Sequence, residues 1–200
     1  MNKLNVFISG FAGEVKDSFK ILKFDVHTMT IVSERKSATM YGGLFLGVPV
    51  VLNLILVSLN FPQGLGAMFS RFLFWPMIIP PLSLLGCMFV IGFLAKKSFS
   101  GAGNTEGVFR ILSYCSAVAW FSIPVFVIAF LNILDPFKVL NMIWLVMLVW
   151  LFVVAYNMLI GYQKLKKEDA IVAMLVGIIA YLILQWFFGN VFMGGMYRFI

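Results

Sequence analysis

Ionisable chemistry is scarce in this chain. Its 200 residues hold eight acidic side chains, one histidine and two cysteines, and charged residues make up only 12%. Metal-assisted hydrolysis needs clusters of His, Cys or carboxylates, and general acid–base catalysis needs a titratable group beside its substrate. The apolar stretches contain neither, and no phosphate-cradling Gly-x-x-x-x-Gly-Lys-Ser/Thr loop occurs. His27 stands far from both cysteines and, with Asp25 and Glu34, at no metal-ligand spacing, so it reads as a solvated residue. The expectation is a protein that is not an enzyme and binds no metal or cofactor.

What fills the chain instead is hydrocarbon: 62% of residues are hydrophobic and the mean hydropathy is +1.01. The apolar residues fall into five runs, at 41–60, 72–95, 111–134, 139–160 and 170–188, none with an Asp, Glu, Lys, Arg or His. Each is near the ~20 residues that a helix needs to cross ~30 Å of hydrocarbon. A backbone in lipid must satisfy its own hydrogen bonds, as a helix or a closed barrel, and the two-residue alternation of a barrel is absent. The sequence therefore predicts an all-α polytopic membrane bundle of five transmembrane helices. Residues 1–40 form an N-terminal segment and residues 41–200 the membrane domain.

Positive charge orients the bundle, because Lys and Arg stay on the cytoplasmic side of a membrane. Lys3, Lys16, Lys20, Lys23, Arg35 and Lys36 precede the first run; Lys96, Lys97 and Arg110 flank the second turnover, and Lys164, Lys166 and Lys167 the fourth. Only Arg71, Lys138 and Arg198 fall on the other side. That split puts the N-terminus in the cytoplasm and the C-terminus outside. The net charge of +7 then meets the anionic headgroups of the inner leaflet. No basic stripe interleaved with aromatics suggests nucleic acid, and residues 1–13 do not resemble a cleaved signal peptide.

Local patterns refine this layout. Phe11, Val15, Phe19 and Leu22 recur at helical spacing while Glu14, Lys16, Asp17, Lys20 and Lys23 cover the other faces, as in an amphipathic helix lying on the inner membrane surface, either as an anchor or as a docking helix for a cytoplasmic partner. Asn104 or Thr105 suits a helix N-cap, Glu106 the first turn, and Asp135-Pro136 another helix start. The helical pattern from Pro136 runs to about Lys167. Pro76, Pro80 and Pro81 in the second run and Pro124 in the third each remove a backbone donor and predict a kink or break. Gly43 with Gly47, and Ala173 with Gly177, form small-xxx-small steps suited to close internal packing, with a homo-oligomer left open. Cys87 and Cys115 read as small apolar packing residues in the inner half of the bilayer, where the cytoplasm disfavours a disulfide.

The stretch Gly107-Val108-Phe109-Arg110-Ile111-Leu112-Ser113-Tyr114-Cys115-Ser116-Ala117, followed by Pro124, Trp144 and the Lys-rich turn into Ala170, resembles the Yip domain family. These are five-span proteins that interact with Ypt/Rab GTPases, with prokaryotic relatives; the resemblance covers residues 41–188. It implies a five-helix fold with a cytoplasmic N-terminus. Eukaryotic members carry an acidic-Leu-Tyr-Gly-Pro motif before the first span; here only Tyr41-Gly42 matches, with Met40 before it and Gly43 after it. The chain looks more like the bacterial branch, which implies a bacterial cytoplasmic (inner) membrane as the expected location and leaves open whether GTPase binding applies. The resemblance marks Tyr41, Gly42, Arg110 and Tyr114 as an expected interaction surface at the cytoplasmic helix ends. A scaffold or adaptor with a membrane or peripheral protein partner follows as the favoured function. The alternative is a small-solute permease or transporter subunit, with Asn53, Asn157 and Gln185 as its polar interior.

Overall fold

The structure is a computed structural model that describes residues 3–59, 71–124, 127 and 136–193. Among these residues all regular structure is helical: α1 (Lys3–Leu22), α2 (Val26–Glu34), α3 (Ala38–Ser58), α4 (Arg71–Lys97), α5 (Thr105–Cys115), α6 (Pro136–Gly161) and α7 (Lys167–Met193). A 3₁₀ segment, Ser116–Phe121, continues α5. Five helical stretches are long and apolar enough to cross a membrane: Ala38–Leu56, Phe74–Lys97, Thr105–Pro124, Asn141–Gly161 and Lys167–Met193. The expected Asp135 cap, and Tyr197 and Arg198 of the tail, lie outside the described residues.

The helices pair in two ways. α4 and α7 run antiparallel in close contact: Trp75 stacks on Phe192 with centroids 4.0 Å apart, and near the other end Gly177 sits against Ile91 and Cys87. A Cβ at Gly177 would lie 2.6 Å from Ile91 Cγ1, too close to exist without displacement. The Ala173–Gly177 step therefore packs helices as expected, whereas Gly43 and Gly47 have open space beside them. In α3 the close approach falls one residue earlier, at Gly42, which lets α3 and α5 run side by side in parallel with Ser113 filling the notch. Cys87 and Cys115 are buried free thiols in this core.

Proline acts differently in the two spans. α4 continues unbroken through Pro76, Pro80 and Pro81. The third span does break, but at Ser116, eight residues before Pro124, where α-helix gives way to 3₁₀. Pro124 cannot donate to the Trp120 carbonyl; Ser122 N–H turns to the Ala119 and Trp120 carbonyls instead, tightening the preceding turn.

Three helices end on a residue in the left-handed region that is not glycine: Phe24 (φ 66°), Ser100 (φ 53°) and Lys164 (φ 59°). At Phe24 the turn closes with Asp25 N–H donating to Lys20 C=O and Phe24 N–H to Ile21 C=O, the two bonds of a Schellman cap. After Ser100 and Lys164, the next N–H reaches back six residues, Gly101 to Ala95 and Leu165 to Leu159. The helical pattern expected to reach Lys167 therefore stops at Gly161. A left-handed Lys costs about 1 kcal/mol, and tertiary bonds to Gln163 hold it there.

Candidate functional site: the junction beneath the N-terminal helix pair

α1 and α2 pack onto α3 and α5 through charged side chains. Arg35, between α2 and α3, donates from Nη1 to Glu14 Oε2 at 2.5 Å and from Nη2 to Asp17 Oδ2 at 3.0 Å. Glu14, 6% exposed, also accepts the Tyr114 hydroxyl at 2.6 Å. Arg110 forms a second node: its guanidinium donates to Ser33 C=O at 2.6 Å, Thr39 Oγ1 at 2.9 Å and Glu106 Oε2 at 2.9 Å. One arginine thus ties α1 to the α2–α3 link, and the other ties that link to α5. Arg35 is partly buried, which disfavours its cation, but hydrogen bonds to Glu14 and Asp17 outweigh this and hold it above its ordinary pKa.

Aromatic packing completes the junction. Phe11 meets Tyr41, Phe45 and Trp120 at centroid distances of 6.3, 5.8 and 6.0 Å, and Phe45 sits edge-on to Tyr114 at 5.1 Å. Tyr41, Gly42, Arg110 and Tyr114 are thereby brought to one place. The resemblance marks them as an interaction surface; in the structure all four are buried, Tyr41 and Tyr114 against Phe11 and Glu14 of α1, Arg110 against Ser33 of α2, and Gly42 against Ser113 of α5. The amphipathic helix is longer than 11–23, and its acidic face looks inward. Glu14 and Asp17 follow Phe11 at i+3 and i+6, so the acids lie beside the apolar stripe; that mixture, with Arg35 downstream, is the signal the sequence held.

The boundaries of the third span change as well. Its described helix begins at Thr105, so Glu106 and Arg110 belong to it, whereas the apolar run began after them. Asn104 is the N-cap and accepts the Gly107 N–H. The two lysine-rich turns are joined by Gln163, whose backbone carbonyl accepts Ala102 N–H at 2.9 Å and whose Oε1 accepts Gly103 N–H at 2.9 Å.

Of the three polar residues expected inside the bundle, Asn53 bridges helices, donating to Ser122 Oγ at 2.7 Å. Asn157 donates to Val153 C=O and Gln185 to Tyr181 Oη, each within its own helix. Interhelical bonds in membranes average ~0.6 kcal/mol. An Asn53→Leu/Ser122→Ala double-mutant cycle, read by thermal unfolding in detergent, should therefore give a coupling of about 0.6–1.7 kcal/mol. A zero coupling would mean that the pair does not form.

Outside the spans, Asp25 caps α2. Its carboxylate accepts Thr28 Oγ1 at 2.7 Å and His27 N–H at 3.1 Å. The Thr28 hydroxyl bond, first among the causes, holds its pKa below the ordinary value. A depressed carboxyl pKa adds stability above the unfolded-state pKa of about 3.9, and that stability is lost as pH falls through the folded value. Amide exchange at His27 and Thr28 should accelerate as pH drops below about 4 relative to distant helices, and Asp25→Ala should remove this difference.

The junction holds segments together; Glu14 is already engaged by Arg35 and Tyr114, and no group of three His, Cys, Asp or Glu suited to a metal occurs among the described residues. No protein-family model, curated protein or solved structure matches the chain.

Proposed function

We propose that this chain is a non-catalytic integral membrane scaffold or adaptor, related to the bacterial branch of Yip domain proteins. In this reading the lysine-rich end faces the cytoplasm of a bacterial inner membrane, with the C-terminus outside. α1–α2 is a platform fixed on that end for a membrane or peripheral protein. The observation that carries this reading is the junction itself. Two arginines and a tyrosine, Arg35 from the α2–α3 link and Arg110 and Tyr114 from α5, are spent on fixing α1–α2 to the bundle. A mere surface anchor needs an apolar face and lysines, not a buried carboxylate paired with an arginine. Affinity purification in mild detergent should recover a stoichiometric partner, and recovery should fall when α1–α2 is released by Arg35→Ala. Repeated isolation of the protein alone would count against the proposal.

A small-solute permease remains the second reading. One observation favours it: among the described residues Asn53 Oδ1 of α3, Ser83 Oγ of α4 and Ser116 Oγ of the third span are buried without protein hydrogen-bond partners. Flux into proteoliposomes that is abolished by Asn53→Leu would reverse the ranking.

A further inference from the structure

Between α1 and the 3₁₀ segment lies an apolar groove of about 210 Å³. Phe11, Val15 and Phe19 form one wall, and Phe45, Trp120 and Phe121 the other. Its polar groups are used internally: Ser18 Oγ donates to Val15 C=O at 2.8 Å, and Trp120 Nε1 to Phe45 C=O at 3.2 Å. The walls therefore offer an occupant no hydrogen bond from these groups, only apolar contact. Phe19 and Phe121 at the mouth are 45% and 58% exposed, so the groove is open to its surroundings.

Charge lies on one side of that mouth. Lys16 stands at i−3 from Phe19, a neighbouring position on the helix surface, and Lys23 opens the turn that closes α1 directly after Leu22. Both are exposed and form no ion pair among the described residues, whereas Lys20 approaches Asp17 at 3.9 Å. Long lysine stems can run along apolar surface while the ammonium reaches headgroup level.

We propose that this groove binds one acyl chain of an anionic phospholipid whose headgroup is held by Lys16 and Lys23. An apolar slot beside two unpaired cations matches the two halves of such a molecule. The slot is about the size of one large side chain, enough for a stretch of acyl chain and too small for a helix of a partner or of a second copy. The proposal is independent of which protein the platform recruits.

The test uses the full chain reconstituted in phosphatidylcholine nanodiscs with a trace of phosphatidylglycerol carrying a photoreactive acyl chain, adducts being mapped by mass spectrometry. Adducts should concentrate on peptides containing Phe11–Phe19 and Trp120–Phe121, and unlabelled phosphatidylglycerol should compete far better than phosphatidylcholine. Lys16→Gln/Lys23→Gln, an exposed change that leaves the groove intact, should lower the yield tenfold or more, given roughly fivefold for each lysine near an anionic surface. Ala117→Phe, which fills the slot, should remove the groove adducts while adducts on the outer faces of α6 and α7 persist. Equal competition by phosphatidylcholine, or an unchanged yield in the lysine variant, would overturn the proposal. So would adducts spread evenly over α6 and α7, or photoproducts with a bound polypeptide in the groove. If Ala117→Phe fails to fold, the lysine variant and the competition decide.

Discussion

Arg35→Ala should release α1–α2 from the bundle without unfolding the five spans. The substitution leaves Glu14, 8% exposed in its side chain, without its cation. Stranding one member of a buried ion pair costs about 3–5 kcal/mol. Arg35 itself keeps 32% of its side chain exposed, so water screens part of the pair and the expected loss is about 2–3 kcal/mol. The loss is local: amide exchange and limited proteolysis should accelerate across residues 10–34, roughly 30–150-fold for that range, while α4 and α7 stay protected. Tyr114→Phe should do the same more weakly, by about 1–2 kcal/mol, because it removes one hydrogen bond to a charged acceptor. The two effects should not add, since both act through Glu14. An Arg35→Ala protein whose N-terminal residues exchange as slowly as before would show that the ion pair contributes nothing to docking.

Two adjacent glycines should respond in opposite ways. A Cβ at Gly42 would lie 2.8 Å from Ser113 Cβ and closer still to its Oγ, whereas a Cβ at Gly43 meets nothing within 4 Å. Gly42→Val must push α3 from α5 and disturb Tyr114 and Phe45 next to them. Overpacking of this kind costs about 1–3 kcal/mol, and a chain of this length loses about 2–4 °C in Tm per kcal/mol. Gly43→Val should change stability by no more than about 0.5 kcal/mol. Differential scanning fluorimetry in one detergent compares them directly, and equal losses would contradict the parallel α3–α5 contact.

Five spans were legible because lipid imposes a length and a composition that few soluble elements share, and helix starts such as Asn104 carried their own cap chemistry. The breaks were less so. Proline marked the third span at Pro124, yet the helix yields at Ser116; nothing at Phe24, Ser100 or Lys164 announces a left-handed turn, because distant groups such as Gln163 supply the stabilisation. The junction was half visible. Arg110, Tyr114, Tyr41 and Gly42 could be picked out, but not that they would be interior, since burial of Glu14 depends on Arg35, 21 residues away. A charged residue on an amphipathic helix looks solvated until its partner is known.

Docking of α1–α2 on the helix ends is the claim on which the platform rests, and one cross-link tests it. A Cβ at Gly161 lies 3.5 Å from Val26 Cβ, within the ~3.5–4.5 Å that a disulfide spans. In membranes carrying Val26→Cys and Gly161→Cys, with Cys87→Ala and Cys115→Ala, mild oxidation should produce an intramolecular disulfide in most molecules within minutes. The pair Val26→Cys and Gly43→Cys should produce none. Failure of the first pair to link, or equal linking by both, would mean that the N-terminal helices do not sit on the bundle.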